Sequence, residues 1–77
     1  PQARVLSLPP AIAAALDNGG RVQMRYRDAR GRETERLVLP LRVSERGGVL
    51  YLIAHCYQRG EQRTFRLDRV VEMVLEE

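Results

Sequence analysis

The sequence predicts a mainly β domain, with about five short strands in a small, strongly bent sheet or partly open barrel behind one short α-helix. Three observations predict it. Apolar residues recur every four positions up to Leu16 and every two positions from Val22 onward. Turn tetrads, Asp28–Gly31, Glu45–Gly48 and Gln58–Glu61, separate the alternating runs. The 77 residues leave room for one small domain, near the lower end of what folds without metal or disulfide support.

Taken in order, Pro1 to Leu6 reads as a linker or tail and residues 7–77 as the domain. A helix is expected over about residues 9–18. Ser7 can cap it, and Pro9 and Pro10 suit a first turn in which no amide donor is required. Leu8, Ile12 and Leu16 give it one narrow apolar stripe, and Asn18-Gly19-Gly20 ends it. Val22, Met24 and Tyr26 then alternate with Arg21, Gln23, Arg25 and Arg27, which is a strand with one buried face. Glu33 to Leu39 returns as the second strand. Pro40 lacks an amide donor and marks an edge, a bulge or a bend before Leu41-Arg42-Val43 resumes the alternation.

Val49 to Tyr57 is the most apolar run and reads as the central strand. Val49, Tyr51, Ile53, His55 and Tyr57 share one face, while Leu50, Leu52, Ala54 and Cys56 share the other, and both faces look largely buried. The next strand, Arg63 to Leu67, points Arg63, Phe65 and Leu67 one way and Thr64, Arg66 and Asp68 the other. Val70 to Leu75 supplies the last, with Glu76 and Glu77 as a solvated end. An SH3-like (Sm-like) barrel fits this order best, with an OB-type barrel as the main competitor.

All thirteen basic residues are arginine, and the net charge is +3. Arginine grips phosphate through a planar fork and stacks on bases. The plain reading is a codon bias toward arginine, so charge alone does not establish nucleic-acid binding. Cys56 is the single cysteine, which leaves neither an internal disulfide nor a cysteine-based zinc site and fits a reducing, cytoplasmic setting. No apolar run approaches the ~20 residues that span a bilayer. A start at proline suggests a piece of something longer. His55, the only histidine, has no carboxylate or cysteine partners at metal-ligand spacing, and no nucleophile motif accompanies it. Gly19-Gly20 and Gly47-Gly48 lack the lysine and the helix of a phosphate loop. Neither a cofactor nor catalysis is expected.

Arg63 shares a face with two core residues, so it needs an anionic partner: Asp68, or a bound phosphate. For Arg63, Arg66 and Arg69 two readings stay open. One is a phosphate cradle beside an aromatic platform, with Arg66 facing the ligand because it lies opposite the Phe65 face. The other is an internal ion-pair network with Asp68, Glu61 and Glu72.

Leu50-Tyr51-Leu52, Tyr26, Arg36 with Leu39-Pro40-Leu41, Ala54-His55-Cys56 and above all Arg63-Thr64-Phe65-Arg66-Leu67-Asp68-Arg69-Val70 carry a resemblance. Over roughly Gly20 to Leu75 the chain resembles the WYL domain, with Leu50 standing where the Trp-Tyr-Leu triplet has tryptophan. The resemblance implies an SH3-like β-barrel and a ligand-sensing module. Such modules usually stand behind a winged helix-turn-helix in bacterial transcription regulators, and sometimes belong to helicases or phage-defence proteins. It implies nucleic acid or nucleotide as ligand, single-stranded DNA foremost and RNA included, with a pocket lined by Tyr51, Arg63, Arg66 and Arg69. His55, along the strand face of Tyr51, is added to that set. The missing domains of a parent protein are the expected partners, with a homodimer left open and no membrane. A protein-interaction module, or the accessory part of a helicase or nuclease, is the alternative.

Overall fold

The computed structural model describes residues 9–76, so the expected Ser7 cap and Leu8 of the helical stripe lie outside the described residues. Helix α1 (Pro10–Asn18) starts from the Pro9 carbonyl, which accepts the Ile12 and Ala13 amides at 3.1 Å each. It ends at Gly19, whose φ of 72° is the left-handed conformation that glycine reaches without strain. Nine residues are too few for a stable isolated helix. Its stability comes from docking: Ile12 and Ala15 are fully buried and Leu16 packs beside them.

Five antiparallel strands follow: β1 (Arg21–Arg27), β2 (Glu33–Arg46), β3 (Val49–Cys56), β4 (Glu61–Arg66) and β5 (Val70–Glu76). The spatial order is β4-β3-β2-β1-β5. The core face carries Val22, Met24 and Tyr26 of β1, Val38 of β2, Leu52, Ala54 and Cys56 of β3 and Phe65 of β4, with α1 laid against it. On β1 and β4 these are positions that the alternation marks, and Cys56 packs in the same core as a small apolar residue.

The structure refines four expectations. The sheet is not closed into a barrel, because β4 and β5 remain edge strands. It is curled instead. The Tyr26 ring meets Phe65 edge-on at 5.2 Å, and its hydroxyl accepts the Arg66 amide at 3.1 Å, although two strands separate β1 from β4 in the sheet. Pro40 does not end β2, which runs for fourteen residues with a register shift between Pro40 and Arg42. The second face of β3 is only partly covered: Ile53 is buried, whereas Tyr51 and His55 are half-exposed. Leu67 leaves the strand, and Leu67–Arg69 forms one 3-10 turn between β4 and β5.

Asp28 sets the β1–β2 hairpin. Its Oδ1 accepts the Arg30 and Arg32 amides at 2.9 Å each, as an aspartate at the first turn position should. The bond from the Arg32 amide is the main cause that holds its carboxyl below the usual range. A depressed folded pKa contributes stability that is complete above the unfolded value, near pH ~4, and is lost as pH falls through the folded value. The native chain is therefore expected to melt above an Asp28→Ala variant at pH ~6, with the gap narrowing at pH ~2. Thermal melts followed by circular dichroism check this; a gap independent of pH would assign the role to packing.

Candidate functional site

In an antiparallel ladder, directly opposed residues share a face. On the face away from the core, Tyr51 stands between Ser44 of β2 and Arg66 of β4. Ile53 stands between Arg42 and Thr64, and Val49 faces Arg46. A shallow groove of about 360 Å³ runs over this grid, lined by Arg42, Ser44, Arg46, Tyr51, Ile53, Gln62 and Thr64.

The β2 bulge creates this arrangement. Before it, Val38 and Pro40 lie opposite Cys56 and Ala54 on the core face; after it, Val43 lies opposite Leu52 on that same face. The extra residue, Leu41, thus flips the parity of the strand and turns Arg42, Ser44 and Arg46 outward beside Tyr51. Arg42 and Arg46 were missed as candidate site residues. Their signal was the proline-marked bulge followed by basic residues at every fourth position.

Charge divides the outer face into two halves. On β1 every outward arginine is matched: Arg21 with Glu76 at 2.6 Å, Arg27 with Glu33 at 2.6 Å, and Arg25 with Glu35 and Glu72 at 3.2 Å each. Hydrogen bonds from Gln23 first and Arg25 second hold the Glu35 carboxyl down, and Glu35 in turn raises Arg25. No carboxylate lines the groove over β2–β4, and among the described residues neither Arg42 nor Arg46 has an acidic partner. The neighbouring Glu45 is turned into the hairpin, where it accepts the Gly48 amide at 2.6 Å.

The structure brings together some of the expected residues. Tyr51 and Arg66 are cross-strand neighbours. His55 lies two positions along the same face, opposite Gln62, with its ring edge-on to Tyr57 at 4.9 Å. Arg63 lies opposite Ala54, at the margin of the core face; its side chain is 38% exposed and meets Glu61 at 3.3 Å. Arg69, in the 3-10 turn, lines a separate cleft of about 460 Å³ with Asp68, Val70, Val71 and the β1–β2 hairpin. Of the acids in the network reading, Asp68 holds Arg66 and Glu61 holds Arg63, whereas Glu72 serves Arg25.

The groove can neutralise anions and offer one aromatic ring to a planar group. Among the described residues no cluster of three or more His, Cys, Asp or Glu could hold a metal ion, and no helix is long and apolar enough to cross a membrane.

A five-stranded curled sheet with a leading helix, and a tyrosine flanked by arginines on its outer face, define a small β-domain. The family model for the WYL domain matches residues 8–75, and the chain belongs to that family. Among solved structures it is similar to proteasome accessory factor B/C (PafBC) of Arthrobacter aurescens, at 33% identity with a TM-score of 0.80. That likeness covers 91% of this chain and 12% of the other, so the chain spans about an eighth of that protein's length. No curated protein sequence matches.

Proposed function

We propose that this chain is the ligand-sensing domain of a larger bacterial regulator. It binds single-stranded nucleic acid, or a nucleotide, across the outer face of β2, β3 and β4. The family match and the likeness to PafBC support a regulatory, ligand-sensing domain. One observation carries the choice of ligand: Arg42 and Arg46 flank Tyr51 without acidic partners among the described residues, while every outward arginine of β1 is paired. Arg42 and Arg46 neutralise phosphates, Tyr51 supports a base, and His55 borders the far end. Arg66 adds a third guanidinium, and a longer strand leaving the groove would reach Arg63. The domain is non-catalytic and works in the cytoplasm, attached to a DNA-binding or helicase domain. Occupancy acts by favouring one arrangement of those domains, since only differential affinity moves an equilibrium.

The test is fluorescence anisotropy with labelled oligothymidylate, the matching RNA, a mononucleotide competitor and duplex DNA, over roughly 50–300 mM salt. Single-strand binding is expected to weaken with salt by about 0.7 log units per log unit for each phosphate engaged. Duplex binds more weakly, because its stacked bases cannot reach Tyr51. Absence of binding to any of these at low salt would overturn the reading. A second reading, self-association, draws on the edge strand β5, where Val71 and Val74 are 44% and 57% exposed. It is recognised by a dimer that persists at high salt in sedimentation.

A further inference from the structure

Asp68 is one carboxylate between two arginines, Arg66 beside Tyr51 on the outer sheet face and Arg69 in the second cleft. Arg66, opposite Tyr51 on the groove side, donates from Nε to Asp68 Oδ1 at 3.0 Å and from Nη2 to Oδ2 at 2.6 Å. This fork occupies the Nε–Nη2 edge of the guanidinium, one of the two that can grip a phosphate bidentately. Asp68 also lines the second cleft, together with Arg69. Arg66 is the main cause that holds the Asp68 carboxyl below the usual range, and the charge of Arg69 adds to it. Yet among the described residues Arg69 makes no ion pair of its own.

We propose that Asp68 is a transferable counter-ion, which holds Arg66 while the groove is empty and passes to Arg69 when a ligand phosphate takes Arg66. This rests on the groove being the ligand site. The exchange trades one charge-assisted pair for two, because the phosphate replaces Asp68 on Arg66 and Asp68 gains an unpaired cation. The Asp68 side chain is 54% exposed, so a change of its torsion angles suffices and no buried charge is created. Two consequences follow from the geometry. The carboxylate sets a threshold that a phosphate passes and a weaker anion does not. It also carries occupancy from the sheet face to the 3-10 turn and the cleft beside the β1–β2 hairpin, where an attached domain could sense it.

The experiment measures anisotropy of a labelled oligothymidylate of about 12 nucleotides with the native chain, D68N, R66A, R69A, D68N/R66A and D68N/R69A, each checked for folding by circular dichroism. D68N is expected to tighten binding roughly 2- to 5-fold, the size of one well-formed surface pair, and to steepen the salt dependence. That gain should vanish in the R66A background. R69A should weaken the native chain by a similar factor and leave D68N unchanged, because Arg69 acts only through the carboxylate. Unchanged or weaker binding by D68N overturns the proposal, as does an R69A effect of equal size with and without Asp68. Native binding with D68N unchanged removes only the counter-ion role. Absence of binding by both the native chain and D68N removes the ligand reading and the counter-ion with it.

Discussion

Phe65→Ala is expected to destabilise the domain by about 3–5 kcal/mol, the usual cost of deleting a buried phenylalanine. Phe65 is 4% exposed and stands opposite fully buried Leu52 in the β3–β4 ladder. Its ring also receives Tyr26 at 5.2 Å, the contact that draws β1 toward β4. The alanine therefore removes core volume and the inner half of that contact together. In a small domain whose single cysteine leaves no internal disulfide, such a loss is a large share of a total near 5–15 kcal/mol. At roughly 4–8 °C per kcal/mol the melting midpoint should fall by at least ~12 °C. Phe65→Leu keeps most of the volume and loses mainly the edge-on aromatic term, so its cost should stay near 1–2 kcal/mol. Urea unfolding of both variants checks this. A cost below ~1 kcal/mol for the alanine would mean that β4 does not close the core.

The contrast between these variants shows what kind of information the alternation carries. Val22, Met24 and Tyr26 were legible as a buried face, Leu52, Ala54 and Cys56 as sharing one face of β3, and Phe65 as a core residue, because a strand has only two faces and water penalises the wrong one. The same logic placed Arg66 away from Phe65, and the register adds that it stands beside Tyr51. Three things were not legible, each for a physical reason. A single inserted residue at Leu41 reverses the parity of β2, so the destination of Arg42 depends on a backbone shift that alternation cannot locate. Leu67–Arg69 satisfies its backbone in a 3-10 turn, and past Arg66 the period-two rule no longer says where Asp68 and Arg69 point. Whether a sheet of five strands closes depends on strand tilt and stagger, which follow from twist and packing rather than from residue type. Here the Tyr26 hydroxyl, bonded to the Arg66 amide, ties the curl without a closing ladder.

The Arg42→Ala/Arg46→Ala double variant is expected to lose single-strand binding roughly 30- to 140-fold at low salt, from about 1–1.5 kcal/mol per charge-assisted phosphate contact. Among the described residues neither has an acidic partner, and both are exposed, so the variant should melt within ~0.5 kcal/mol of the native chain. This separation of binding from stability distinguishes the pair from Arg66 and Arg63, whose side chains already hold Asp68 and Glu61. The salt dependence supplies a second readout. Two lost phosphate contacts should flatten the slope of log affinity against log salt by about 1.4, whereas a perturbed fold would lower affinity without a defined change in slope. Arg42→Lys/Arg46→Lys keeps the charge and loses the fork, so it should retain most of the slope while losing part of the affinity. Full binding by the double alanine variant, together with loss of binding on Arg63→Ala, would move the site to the margin of the core face. The parity flip at Leu41 would then be a packing device, and the outward arginines of β2 would have no part in recognition.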